Sequence, residues 1–312
     1  MEAAFYNSAS FNKETLHSLM QKNDHPAMLL FVLMTILFFS ASIWIVHSWH
    51  GPWWEFICAH FLFGVMTCSI FACLHETAHS TAFKSKAMNQ FAAGFCGIAS
   101  IYPAPIFRDF HFMHHRFTHI PGKDPEISIG NKAIPGVLSN LPIYFAWLSG
   151  LPFICFKIFM VLGGCLGMPE FLRSRYFPFI RKDMRGKIAF QSWLTMAIYL
   201  CIFILAQLIN AGFYAIFTGL LTGQCILATY LLPEHNGLPH EGTIFDRTRS
   251  MRTSKLIRSL MWNMPYHAEH HAYPAVPFHT LPRLHNLLKA ELSNTDLGYP
   301  DFHVKVLQRK IS

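Results

Sequence analysis

Eight of the 19 histidines fall into three windows of five residues: His75 and His79 in HETAH, His111, His114 and His115 in HFMHH, and His267, His270 and His271 in HAEHH. Within each window they lie three or four residues apart. On a helical backbone such imidazoles leave one face together, as multidentate ligation of an ion requires. Two windows repeat the spacing HxxHH, which scattered histidines would rarely produce, and eight nitrogens suffice for two ions. His17, His25, His47, His50 and His60 stand alone and read as ordinary surface or buried residues. His235, in LPEHNG, follows an apolar run as His75 does; it is either a ninth ligand or a hydrogen-bonded turn residue. His119 is a reserve ligand or a surface histidine. Asp124 could orient a ligand imidazole through its second nitrogen, or cap the turn at Pro125. Asn263 could hold a metal-bound water or a ligand's partner, or cap a helix.

HETAH is also a literal HExxH, the zinc-protease pattern in which Glu76 would act as base. One catalytic zinc uses about three protein ligands, which leaves both HxxHH windows without a role. A dinuclear centre employs all three. The windows contain no cysteine, which disfavours a thiolate site, and imidazole alone does not choose among zinc, copper, iron and nickel. Redox-active ions beside a bilayer suit oxygen activation against an apolar substrate, with iron the first candidate.

The elements that must position these residues read as membrane helices. Hydrophobic residues make up 52% of the chain and charged residues 13%, the composition of an integral membrane protein. Four apolar runs, Ala27 to Ser48, Trp53 to Leu74, Ile188 to Asn210 and Phe213 to Leu232, have the length of a spanning helix, about 20 residues. They pair into two hairpins, 27–74 and 188–232, whose turns lack basic residues. Lysines and arginines gather in the remaining segments, so the positive-inside rule puts both termini and all histidine windows on the cytoplasmic side. The segment Val137 to Met168 is apolar, but one crossing there would carry HAEHH across the bilayer from the other two windows. Gly150, Pro152 and Lys157 break it, so an interfacial or re-entrant segment is expected; Met88 to Phe107, broken by Pro103 and Pro105, invites the same reading.

Residues 1–26 look like a cytoplasmic arm, not a secretory signal. Residues 75–187 would form a cytoplasmic and interfacial region with the first two windows, and 233–312 a cytoplasmic region with the third, all in one all-α domain with a histidine-rich cap. The eight cysteines form no CxxC pair and lie in apolar segments, as free thiols do. The formal charge of +8 suits loops that face anionic headgroups and an acidic redox partner; nucleic acid is not an expected partner. A metal transporter would carry ionisable residues inside its spans, and these runs are nearly free of them.

The three windows, their order and spacing, and the tail AYPAVPFHTLPRLH resemble the membrane fatty acid desaturase family, whose relatives include carotenoid hydroxylases and ketolases and alkane hydroxylases. The resemblance runs from about Ala59 to Leu288. It implies that His75, His79, His111, His114, His115, His267, His270 and His271, with His235, bind two irons. It further implies O2-dependent desaturation of a lipid acyl chain, with hydroxylation or ketolation of a lipid or carotenoid as the alternative outcome. The first window has Glu76 where the family often has Asp, and the third begins with His267 where many front-end desaturases have Gln. No haem-binding HPGG appears, so a separate ferredoxin or cytochrome b5 is the expected electron donor. A bacterial inner membrane and an endoplasmic reticulum membrane would both suit this topology.

Overall fold

Asn23 starts the first long helix by accepting a hydrogen bond from the His25 N–H, with Asp24 in the first turn, where the helix dipole favours a negative charge. The computed structural model describes residues 11–311; the first ten residues of the expected N-terminal arm lie outside them. Its helices are α1 (Lys13–Leu19), α2 (Asp24–Ser48), α3 (Trp53–Ala78), α4 (Lys86–Ala99), α5 (Ala104–Phe117), α6 (Leu141–Leu148), α7 (Leu151–Cys165), α8 (Glu170–Tyr176), α9 (Arg185–Leu208), α10 (Tyr214–Leu231), α11 (Ile244–Arg247), α12 (Lys255–Leu260), α13 (His267–Ala272), α14 (Leu281–Leu288) and α15 (Tyr299–Leu307). Among the described residues a single two-stranded hairpin, Ser128–Ile129 against Lys132–Ala133, interrupts the helices. This is the all-α membrane architecture expected from the apolar runs.

The four expected spans coincide with α2, α3, α9 and α10, each long and apolar enough to cross a bilayer. α2 and α9 leave Leu29, Ile36, Ile43, Phe190, Trp193 and Leu208 exposed, as a lipid-facing surface would. α3 and α10 are the more buried pair. They approach closely because glycines line the seam: a Cβ on Gly223 would lie 3.0 Å from Thr67 Cβ, and one on Gly64 would lie 3.3 Å from the Gly223 nitrogen. Small residues at such a seam are what helix packing in lipid favours, where apolar burial between helices gains nothing over lipid contact.

The two doubtful segments are bent pairs. α4 and α5 meet at 98°, and α6 and α7 at 56°. The second bend is at Gly150, whose φ of +70° glycine tolerates; a Cβ there would lie 2.6 Å from the Cys225 nitrogen. α7 thus begins against Gln224 and Cys225, two turns before the end of α10, and Gly164 near its other end abuts Ser192, two turns after the start of α9. Both ends of α7 pack at the same end of the bundle. The glycine lets the chain bend there, where a side chain would collide with α10.

Candidate metal centre

Each histidine window sits at a helix end. His75 lies in the last turn of α3 and His79 is its C-cap residue. His111, His114 and His115 occupy the last two turns of α5. His235 follows the single turn Leu232–Glu234 that ends α10, and α13 consists of HAEHHA. Four helices therefore direct their carbonyl ends, with their partial negative charge, at one place, which favours cations there.

The nine histidines separate into two groups, each with one nitrogen per residue within 4.8 Å of all the others: His75, His79, His111, His115 and His270 in one, and His114, His235, His267 and His271 in the other. Neither group follows the windows; HFMHH and HAEHH each serve both. In the first group Nε2–Nε2 separations are 2.8 Å for His79–His111, 3.0 Å for His111–His115 and 3.2 Å for His115–His270. In the second, His235 and His267 are 2.9 Å apart. Nitrogens held about 2.1 Å from one ion at right angles lie about 3 Å apart, so these separations are those of adjacent ligands. The groups abut, with the His115 and His271 rings stacked 4.1 Å apart.

The second nitrogen of several rings fixes its tautomer. His114 Nδ1 donates to Asp124 at 3.0 Å, and His235 Nδ1 donates to the Arg247 carbonyl at 2.9 Å. Thr118 gives its proton to the His114 carbonyl and so accepts from His271 Nδ1 at 3.0 Å. The rings of His235 and His271 are left with a lone pair at Nε2, whereas Asp124 and Glu126 outweigh burial at His114 and raise it to about 9, so an ion there would displace a proton. His271 Nε2, and Nδ1 of His75, His115 and His270, are buried without a hydrogen-bond partner. Burial holds the imidazoles of His79 and His235 down at about 3, and pushes those of His111, His115, His267, His270 and His271 below their ordinary value. Convergent nitrogen donors, neutral except for His114 and without a thiolate, fit one transition-metal ion in each group.

Asp124 thus holds the His114 ring, the contact an orienting partner would make. Asn263 does not join the centre: its amide donates to the Phe278 carbonyl at 3.0 Å, holding the turn before α13. His119 lies outside both groups, bonded to the Pro239 carbonyl at 3.1 Å. Glu76 points away from a catalytic-base position, with Oε1 accepting from the Phe278 N–H at 3.1 Å, so HETAH lacks the geometry of the protease motif. Sequence reasoning passed over Thr118, Glu234 and Glu269. Glu269 is fully buried on the back of α13, where it binds Ser250 and His285. Its position between His267 and His270 was the available signal, since that register turns it away from the ligand face.

A cavity of about 40 Å³ opens beside the histidines. Its apolar wall includes Phe71, Ala72, Leu231 and Met264, and its polar wall includes His75, His111, His114 and His267. This is room for roughly three waters.

The family model for fatty acid desaturase matches residues 48–303. The chain belongs to the fatty acid desaturase family. It is 23% identical over 265 residues to a sphingolipid delta(4)-desaturase DES1-like protein of Arabidopsis thaliana, covering 81% of this chain and 69% of that one. It is 24% identical over 253 residues to a sphingolipid delta(4)-desaturase of Candida albicans, covering 75% of this chain and 62% of that one. As a member of this family the protein is a membrane oxidoreductase of lipid metabolism, and its histidine groups are where it could hold metal.

Proposed function

We propose that this chain is an O2-dependent desaturase that places a double bond in a lipid hydrocarbon chain, at two irons held by His75, His79, His111, His115 and His270 and by His114, His235, His267 and His271. The observation that carries the reading is the division of the nine histidines into two abutting groups of convergent nitrogen donors. Bound irons would supply the oxidising power, drawn from O2 and an electron donor, that an unactivated C–H bond demands. The chain's own work is positioning. Phe71, Ala72, Leu231 and Met264 exclude water and seat methylenes against the histidine wall, while Asp124, Thr118 and the Arg247 carbonyl fix ligand rings. Held at a fixed distance, the reacting carbons lose two hydrogens; a looser seat favours oxygen insertion and an alcohol.

The one-domain organisation and the cytoplasmic placement of the cap, from the basic segments, belong to this reading. So does a separate ferredoxin or cytochrome b5: exposed Lys84, Lys86, Arg116 and Lys123 suit an acidic donor surface. The names of the relatives make a sphingolipid the first substrate to try. The test combines iron analysis of the purified protein with mass spectrometry of lipids from an expressing host, for the wild type and His271→Ala. Two irons and a new double bond, both diminished in the variant, are expected; an added oxygen would select the hydroxylase outcome, and zinc alone with unaltered lipids would overturn the proposal.

A further inference from the structure

A second cavity, of about 410 Å³, opens between α5, α7, α8 and the β-hairpin, and none of the nine clustered histidines lines it. Its wall is a cage of rings: Phe110 lies 5.9 Å from Phe156 and 5.8 Å from Phe179, and Phe177 lies 6.1 Å from Phe179. The size is that of a ligand site, and an apolar wall of this extent takes hydrocarbon, not water. Both ends of α7 pack at one end of the bundle, and Ile158, Phe159, Leu162 and Phe171 stay exposed along α7 and α8, as side chains against lipid would. The chain that follows is basic. From the start of α8 into the first turn of α9, residues 170–187 carry six Lys or Arg and two Asp or Glu.

Two cations stand at the rim. Arg175 follows Leu172 by one turn of α8, on the face that lines the cavity, and its guanidinium lies 5.4 Å from the ring of Tyr176, another lining residue. Lys132 pairs across the hairpin with Ile129, so its side chain leaves the same face as that lining residue. The two elements touch, since a Cβ on Gly130 would lie 2.7 Å from the Arg175 carbonyl oxygen. Glu170 engages Arg173 and Lys182, and Asp109 engages Arg181. Arg175 and Lys132 are exposed, and among the described residues neither forms an ion pair. We propose that this cavity binds an anionic phospholipid, with an acyl chain among the rings and the phosphate between Arg175 and Lys132. The lipid also braces the metal centre from outside, because Phe110 precedes His111 on α5 and Pro125 follows Asp124, which holds His114. The site requires nothing of the reaction at the histidines.

The test uses the full-length protein in a neutral detergent with three probes: dioleoyl phosphatidylglycerol, dioleoyl phosphatidylcholine, and inorganic phosphate, which has the charge without the chain. Native mass spectrometry counts retained lipid, and a melting curve reports its effect. One phosphatidylglycerol per chain is expected, with a raised melting temperature and at least about tenfold tighter binding than phosphatidylcholine; phosphate should change nothing. A cation at an anionic headgroup is worth about fivefold, so Arg175→Gln with Lys132→Gln should bring the two lipids to within about threefold. Both side chains are exposed, and that variant should melt like the wild type when no lipid is added. Leu172→Trp, which fills the cage, should weaken both lipids alike. Equal retention of the two lipids by the wild type, or the full preference kept by the charge variant, would overturn the proposal. So would stabilisation by phosphate alone, which marks an anion site without a chain, or displacement of phosphatidylglycerol by a desaturation substrate, which would make the cavity part of the substrate's path.

Discussion

A histidine that must bind a metal has to present a lone pair, and His114 is the ring where a proton competes most strongly for it. Burial works to lower its imidazole, but Asp124 and Glu126 outweigh burial and raise it to about 9 in the metal-free protein. A bound ion must expel that proton, so affinity at the second group should rise with pH, by up to about tenfold per unit, and level off above about 9. Chelator competition at several pH values measures this, and a flat profile would contradict it. Asp124→Asn removes the anion that holds the Nδ1 proton; affinity should fall by about 10–100-fold, and the pH slope should shrink because His114 no longer stays protonated. That Asp124 might do this was legible from its place ten residues after His114. The Thr118–His271 bond, across 153 residues, was not, because no periodicity announces a contact between distant segments.

At the scale of helices, spacing and apolar length carried most of the information. The four runs read from composition match α2, α3, α9 and α10 to within a few residues. The main difference is that α3 runs on to Ala78, continuing the helix through His75. Hydrophobicity marks where lipid stops, and a helix that enters a protein cap has no reason to stop there. The seam between α3 and α10 was not legible, because a glycine's meaning depends on what faces it. Gly223→Val would push into Thr67 and should cost about 1–3 kcal/mol through overpacking, seen as a lower melting temperature. Since α3 carries His75 and α10 leads into His235, metal content should fall with it. Glu269→Leu strikes α13 from behind: with His285 and the Ser250 hydroxyl proton left without their acceptor the loss should be about 3 kcal/mol, and the three histidines of α13 should lose their common orientation.

For the molecule as a whole, the consistency of the site constrains the topology. Nine histidines from four parts of the chain meet at one end of the helix bundle, so an even number of crossings must separate the windows. A bent pair that folds back leaves that parity intact. Cysteines introduced at His50 or Asn210, at the hairpin turns, should react with an impermeant reagent only from the side opposite to one introduced at Lys289, in a background without the exposed Cys58, Cys155 and Cys201. Labelling of all three from one side would contradict the arrangement. The fold class could be read from composition and apolar length, and eight of the ligand candidates from their spacing, while His235, alone in LPEHNG, stood open between a ligand and a turn residue. Their sorting into groups of five and four could not, since it depends on how α5 and α13 rotate to share their rings.

That sharing dictates when the protein can become active. The first group needs His270 as well as His75, and the second runs from His114 to His271, so neither is complete before the third window has left the ribosome and packed against the inserted hairpins. Metal capture would therefore be a late event in biogenesis, and a cell starved of that metal should accumulate full-length, membrane-inserted protein awaiting its ions.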